Sequence, residues 1–300
     1  MIDIPEGLVQ SQYEYAGEAG RAFIAALPAR VEEFVERWGL KVDGPPMHGM
    51  AALVLPVVRR ADGVPAVVKF QVFDEETEGE PVALRVWDGD GAVRLIDHDP
   101  GTGTMLLERL DEERMLSSVE DTRAAVLVIA ELLARLTAGP APQGMRRLAD
   151  IAGQMLAEVP GALPRISDPV QRGIVADAAA ALREVVDEPG DRLLHWDLHF
   201  ENVLAPRGPG AREPWVAIDP KPLAGDPGFD LWPALDNRFD AGEVLWRFDA
   251  MTEVLGLDRG RARAWTLGRV VQNALWDVAD GRGLGADDMV IAGLLLGRGV

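Results

Sequence analysis

Leu194-His-Trp-Asp-Leu-His-Phe-Glu-Asn-Val-Leu204, followed by Glu213-Pro-Trp-Val-Ala-Ile-Asp-Pro220, is the stretch from which the rest of the chain can be read. Its apolar runs at 203–204 and 215–218 are separated by a segment rich in Pro and Gly, the pattern of a β-hairpin. That hairpin returns Asp219 to the side of Asn202, with Asp197 on the loop just before. Two carboxylates and an amide then share one small region. Phosphoryl transfer asks for this kind of set: a carboxylate to orient the attacking hydroxyl and take its proton, and oxygen ligands for metal ions on the phosphates.

The same chemistry needs a cation on the phosphates. Lysine occurs only at Lys41, Lys69 and Lys221, against a background of arginine, so a lysine at a special position carries information. Lys69 ends a β-rich run at 65–70, paired by pattern with 51–58 across an Asp62-Gly63 turn, where glycine tolerates positive φ. Glu80 opens a helix expected over 80–87, with Pro81 suited to its first turn. Glu80 can fix Lys69 as an ion pair, with Glu76 and Glu78 in the acidic stretch 74–79 as substitutes. The order Lys69, Glu80, Asp197, Asn202, Asp219 is that of the kinases, and each falls on the expected type of element.

Around these residues the pattern is uneven. Helices are expected at 17–27 and 28–38, split by Pro28, and two further strands at 92–96 and 103–108 joined by a turn at 97–102. From Ser118 the chain becomes mostly helical. A helix over 119–137 is capped by Ser118 with Asp121, and others follow at 145–158, 168–186, 241–255, 262–279 and 287–296. The fold class expected is α+β in two lobes. Residues 1–39 form an N-terminal helical extension, 40–109 a β-rich nucleotide-binding lobe, and 110–300 a helical lobe with the catalytic loop and acceptor site. The active site is expected in the cleft between the lobes.

Composition narrows the function classes. The 300 residues hold 48% hydrophobic side chains and a net charge of −19, enough for a full core and too acidic for a general nucleic-acid binder. Such a balance permits a cationic small substrate, or serves solubility alone. With no cysteine, disulfides, thiolate zinc sites and cysteine nucleophiles are excluded. The first ten residues lack the basic and apolar runs of a signal peptide. The apolar stretch 124–136 is broken by Glu131 and Arg135 and reads as a buried helix rather than a membrane span. A cytoplasmic protein without membrane or nucleic-acid partners is expected.

His195-Trp-Asp-Leu-His-Phe-Glu-Asn202, with Ala217-Ile-Asp-Pro-Lys-Pro-Leu-Ala-Gly-Asp-Pro-Gly-Phe-Asp230, resembles the aminoglycoside phosphotransferases, and within them the streptomycin 6-kinase and hydroxyurea phosphotransferase branch. The likeness runs from about Gly44 to the C-terminus. It implies a protein-kinase-like bilobal fold, ATP and Mg2+, and a hydroxyl acceptor on a small molecule, foremost an aminocyclitol antibiotic such as streptomycin. Asp197 matches the catalytic base, and Asn202 and Asp219 match the magnesium ligands. Lys69 matches the phosphate-binding lysine, and Glu80 its partner. Glu108, Arg109 and Leu110 fall where the linker backbone meets adenine, and His199 where a group can face the γ-phosphate. The chain departs from the wider group at Trp196, usually glycine, whose ring can shape the acceptor pocket. Pro220-Lys221 follows the metal aspartate, so a regulated activation segment is not expected. No G-x-G-x-x-G precedes Lys69, and 44–49 is the candidate phosphate-covering loop.

Other residues have plainer readings. His195 fits a brace of its loop better than a reactive group. His195, Asp197 and His199 alternate as zinc ligands can, yet only His48 and His98 remain to complete such a set. Asp226 and Asp230 fit capping better than substrate contact. Lys221 suits phosphate, substrate or a neighbouring carboxylate. Trp265 and Trp276 share a core stripe. Asp236, Asn237 and Asp277 are the acceptor-site candidates on the helical lobe. Two alternatives stay open: a metabolite kinase of the same fold, and a non-catalytic nucleotide-binding protein.

Overall fold

Strand β4 (Pro65–Gln71) has two different faces, because successive side chains of a strand point to opposite sides. Ala66, Val68 and Phe70 enter an apolar core with Leu53, Leu55 and Val57, while Lys69 and Gln71 stand on the other face, toward Glu80. The computed structural model describes residues 2–208 and 213–298. It divides into two compact units, Met1–Glu112 with Ala205–Pro214, and Glu113–Leu204 with Trp215–Val300.

The first unit is an antiparallel sheet of β1 (Leu40–Val42), β2 (Met47–His48), β3 (Ala52–Arg59), β4, β5 (Leu95–Asp99) and β6 (Thr104–Glu108). The strand order is β1-β3-β4-β6-β5, with β2 beside β3. The Asp62-Gly63 turn joins β3 to β4, with Gly63 at φ 73° and Asp62 Oδ1 accepting Val64 N–H. Helix α3 (Glu80–Trp87) starts at Glu80 with proline in its first turn. Two helices precede the sheet: α1 (Glu6–Tyr15), which the sequence pattern does not announce, and α2 (Gly17–Arg37), which runs through Pro28 where a break is expected. Leu27, Val31 and Phe34 keep one buried stripe across the proline, all in the same core as the sheet. Burial at about 1.5–3 kcal/mol per large apolar side chain outweighs the ~3 kcal/mol that an internal proline costs.

The chain enters the second unit along β7 (Leu110–Met115). Helix α4 (Thr122–Leu136) is capped by Asp121, which accepts Ala124 N–H, whereas Ser118 Oγ–H donates back to the Met115 carbonyl. After α5 (Leu148–Ala162) and α6 (Pro169–Val185), the latter capped by Asp168, come β8 (Arg192–Leu194), β9 (Val203–Pro206), β10 (Val216–Ala217) and β11 (Leu223–Gly225). The chain ends with α7 (Trp232–Asp236), α8 (Val244–Leu255), α9 (Arg259–Ala279) and α10 (Ala286–Leu295). Trp265 is fully buried on α9, but Trp276 is 43% exposed and stands outside the buried face, which continues past it through Leu275 and Val278. No helix among the described residues is long and apolar enough to cross a membrane.

Candidate functional site

In the first unit Lys69 Nζ donates to both carboxylate oxygens of Glu80, at 2.6 and 2.7 Å, and Gln71 Nε2 adds a bond to Glu80 Oε2 at 2.8 Å. Lys69 is 4% and Glu80 1% exposed. An ammonium so deeply buried costs several kcal/mol unless a carboxylate meets it, so strand and helix are joined here by a charge pair that neither can leave cheaply. Farther along, Glu108 Oε1 accepts Arg94 N–H at 2.7 Å. The Arg109 guanidinium holds Asp43 Oδ2 at 2.9 Å and Glu112 Oε1 at 2.8 Å, and Leu110 is buried. These contacts fix the 108–110 backbone at the end of the sheet.

In the second unit the loop after β8 is braced from below. His195 is fully buried, its Nε2–H donating to the Ile218 carbonyl at 3.1 Å while Nδ1 accepts Asp197 N–H. Burial lowers its pKa to about 3, so the ring is neutral and keeps that donor–acceptor arrangement. The backbone N–H groups of His195 and Trp196 both donate to the Asp230 carboxylate, the former at 2.8 Å. Asp230 is fully buried, and desolvation pushes its pKa up to about 7 in spite of those two donors. Trp196 sits at φ 69°, a strained conformation for a bulky residue, which the two bonds hold. By sequence pattern both Asp226 and Asp230 read as caps. Asp226 is one, accepting Gly228 N–H at 2.8 Å, but Asp230 instead anchors the loop that carries Asp197.

Asp197 is pushed above the ordinary carboxylate range, chiefly by burial and also by the negative charge of Asp219, while Lys221, His199 and Arg269 hold it down. The hairpin β9–β10 pairs Val203 with Ala217, and Ile218 N–H donates to the Asn202 carbonyl at 2.9 Å, which sets Asp219 next in line beside Asn202. Asn202 Nδ2 donates to the Asp197 carbonyl at 2.9 Å, which holds the amide with its oxygen turned away from that carbonyl. Asp219 has φ 57° and takes Lys221 Nζ on Oδ2 at 2.9 Å. An amide oxygen and a carboxylate form a hard-oxygen donor pair, which suits magnesium in chemistry. Among the described residues no three of His, Cys, Asp and Glu gather as a metal site. His199 Nδ1 is 3.0 Å from Glu201 Oε2.

The Trp196 ring, 4% exposed, lies between two guanidiniums, Arg146 and Arg269, each 4.8 Å from its centroid. Arg269 also lies near Phe229, Trp232 and Trp276, and no motif marked it in advance. Asp236, at the end of α7, is raised by burial and by Asp287, and its charge environment includes Arg269 and His199. Asp288, unmarked by the sequence pattern, is pushed up to about 7 by burial, with the Asp236 charge adding to the shift. Of the other two acceptor candidates, Asp277 has structural partners, accepting Gly285 N–H and pairing with Arg282. The Asn237 backbone carbonyl accepts an Arg247 N–H, while its side-chain Oδ1 is buried without a hydrogen-bond partner among the described residues.

The family model for aminoglycoside/hydroxyurea antibiotic resistance kinases matches residues 37–281. Among curated proteins the chain is similar to a hydroxyurea phosphotransferase of Kitasatospora aureofaciens, 62% identical over 99% of this chain and 87% of that one. It is also similar to a streptomycin 6-kinase of Streptomyces glaucescens, 57% identical over 94% of this chain and 92% of the relative. Among solved structures, a thermostable mutant of the aminoglycoside phosphotransferase APH(4)-Ia, in a ternary complex with ADP and hygromycin B, superposes with a TM-score of 0.58 at 15% identity. That match covers 90% of this chain and 98% of the other, and the shared architecture is the α+β protein-kinase-like fold expected from the sequence.

Proposed function

The chain belongs to the aminoglycoside/hydroxyurea antibiotic resistance kinase family, and we propose that it moves the γ-phosphoryl group of ATP to a hydroxyl of a small polar molecule, with streptomycin as the leading acceptor. The observation that carries this reading is Asp197: a half-buried carboxylate with a raised pKa, on a loop pinned by Asp230, beside the oxygen pair Asn202 and Asp219. Raised basicity suits a group that accepts a proton late in the reaction. Asp197 orients the acceptor hydroxyl. As the oxygen–γ-phosphorus bond forms, the bond from that phosphorus to the β–γ bridging oxygen breaks, ADP departs, and the hydroxyl proton passes to Asp197. Lys69, immobilised by Glu80, binds the α/β-phosphates. Asn202 and Asp219 would hold magnesium, which supplies charge neutralisation on the phosphates.

The relative bound to ADP and hygromycin B supports nucleotide use. A cationic acceptor is supported by Asp236, Asp287 and Asp288, since the Asp287 charge raises the pKa of Asp236 and the Asp236 charge raises that of Asp288. Use of ATP as donor supports a cytoplasmic reaction. Hydroxyurea is the second reading, favoured by the 62% identical relative. Steady-state turnover with ATP and magnesium against streptomycin, other aminocyclitols, hydroxyurea and primary-metabolite alcohols tests the proposal. Transfer to streptomycin is the expected result and transfer to hydroxyurea alone selects the second reading. Activity confined to a primary metabolite would retire the antibiotic reading, and ATP binding without transfer to any acceptor would retire the enzyme.

A further inference from the structure

Residues 49–51 join β2 to β3, and α1 reaches that turn with two side chains. Ser11 Oγ–H donates to the Met50 carbonyl at 2.5 Å, and Gln12 Nε2 donates to the Ala51 carbonyl at 3.1 Å. The turn closes on itself through Gly49 N–H to the Ala52 carbonyl at 3.1 Å. Beside it the His48 ring packs so near Gly7 that a Cβ there would come within 2.8 Å of it. The helix is firmly seated: Leu8 is fully buried in the core of the sheet, and Gln12 is 3% exposed. Gly20 of α2 makes the close approach possible, since a Cβ at that position would lie 2.2 Å from the Gln12 carbonyl oxygen.

The register puts this turn near the phosphate-binding lysine of the proposed function. Met47 pairs with Val54, and Val54 pairs with Lys69, so the turn begins two residues beyond the row that holds Lys69, about 7 Å along the strand. The helix packs on the face that carries Val68 and Phe70, and Lys69 stands on the opposite face. A carbonyl and the N–H that follows it share one planar trans peptide, so they point in opposite directions. We propose that Ser11 and Gln12 are positioning residues for a phosphate-covering turn. By pulling the carbonyls of Met50 and Ala51 toward α1, they aim the N–H groups of Ala51 and Ala52 away from α1, where they meet the nucleotide's phosphate oxygens. Fixed backbone N–H groups of this kind form anion cradles without needing a glycine-rich motif. The N-terminal helix is thereby part of the nucleotide site.

This inference rests on the nucleotide reading of Lys69, and the test separates the two. Dissociation constants for ATP and for adenosine are measured on the whole chain for Ser11→Ala, Ser11→Ala/Gln12→Ala, Lys69→Ala, and Gln10→Ala on the exposed side of α1. Hydrogen exchange at 49–52 and the unfolding temperature are recorded in parallel. Loss of two hydrogen bonds is expected to weaken ATP about ten-fold in the double variant and about three-fold for Ser11→Ala alone. Adenosine affinity should stay within about two-fold, because the turn meets phosphates and not the base. Exchange at 49–52 should rise, kcat at saturating ATP should hold, and Gln10→Ala should match the wild type. Faster exchange with unchanged ATP affinity would overturn the latch, as would equal losses for ATP and adenosine, the mark of general destabilisation. Lys69→Ala binding ATP like the wild type would instead remove the nucleotide reading itself.

Discussion

Replacing Asp230 with alanine removes the acceptor of two buried backbone donors, the N–H groups of His195 and Trp196. The site is fully buried, so no solvent takes the carboxylate's place. Each orphaned N–H costs about 1–3 kcal/mol, giving about 2–6 kcal/mol in all. That is a large part of the ~5–15 kcal/mol by which a domain is stable, yet it leaves a folded protein in most of the range. At about 2–4 °C per kcal/mol, the unfolding temperature should fall by about 5–20 °C. The functional effect should be larger than stability alone requires. Trp196 is held at φ 69° by these bonds, and releasing it frees the neighbouring Asp197 to shift. A misplacement of about 1 Å in a catalytic group can cost ~100-fold. The assay is kcat and KM for ATP below the variant's unfolding transition, with Asp226→Asn as a control that weakens the Arg261 ion pair and the Gly228 cap in the same turn without touching the two donors on Asp230. Asp230→Ala should lose about 100-fold in kcat with ATP KM changed by less than about three-fold, and Asp230→Asn, which keeps one acceptor oxygen, should fall between. A folded Asp230→Ala variant with kcat within about three-fold of the wild type would refute the reasoning.

Glu80→Ala takes a buried carboxylate away from the Lys69 ammonium and should cost about 3–5 kcal/mol in urea unfolding, and a cost under about 1 kcal/mol would count against a charge pair that matters to the fold. The double change Lys69→Met/Glu80→Leu fills the same space with apolar groups, so stability should recover while ATP affinity does not; recovery of both would show that Lys69 has no part in nucleotide binding. Asp288 gives a pH prediction whose sign follows from its pKa, raised by burial from 3.8 to about 7. Between those values the folded chain keeps a proton that the unfolded chain has lost, so this contribution is full below about pH 4 and disappears as the pH rises through about 7. Asp288→Asn should flatten the decline in unfolding free energy between about pH 4 and pH 7, and an unaltered decline would contradict the assignment.

The parts of the fold legible in the sequence are those where one local pattern decides the outcome. Apolar runs flanking 205–214 define the hairpin that sets Asp219 beside Asn202, and Asp62-Gly63 defines the turn that fixes the register of Lys69. Asp168-Pro169 marks the start of α6 because cap and first helical position are adjacent. Other features depend on partners distant in sequence. Pro28 argues for a break, and only the buried stripe against the sheet keeps α2 whole. Helix α1 buries just Leu8 and Gln12 along its length, too few for an amphipathic pattern to stand out. At the start of α4 Ser118 and Asp121 are both plausible caps by spacing, and the backbone geometry selects Asp121. Asp230 reads as a cap because its turn is rich in Pro and Gly, but its partners lie 34 and 35 residues back, a distance no local pattern encodes. Arg269 carries no motif, and it becomes visible only when four aromatic rings gather around it.

The role of Asp197 is tested most directly by the rate of the chemical step in a single turnover. Enzyme saturated with ATP, magnesium and the acceptor found in the turnover panel is mixed and quenched, for the wild type and for Asp197→Asn. The phosphorylated acceptor is then quantified against time. The account predicts that the step slows by about 100- to 10,000-fold in the variant while ATP affinity stays within a few-fold. An Asp197→Asn step as fast as the wild type would contradict it.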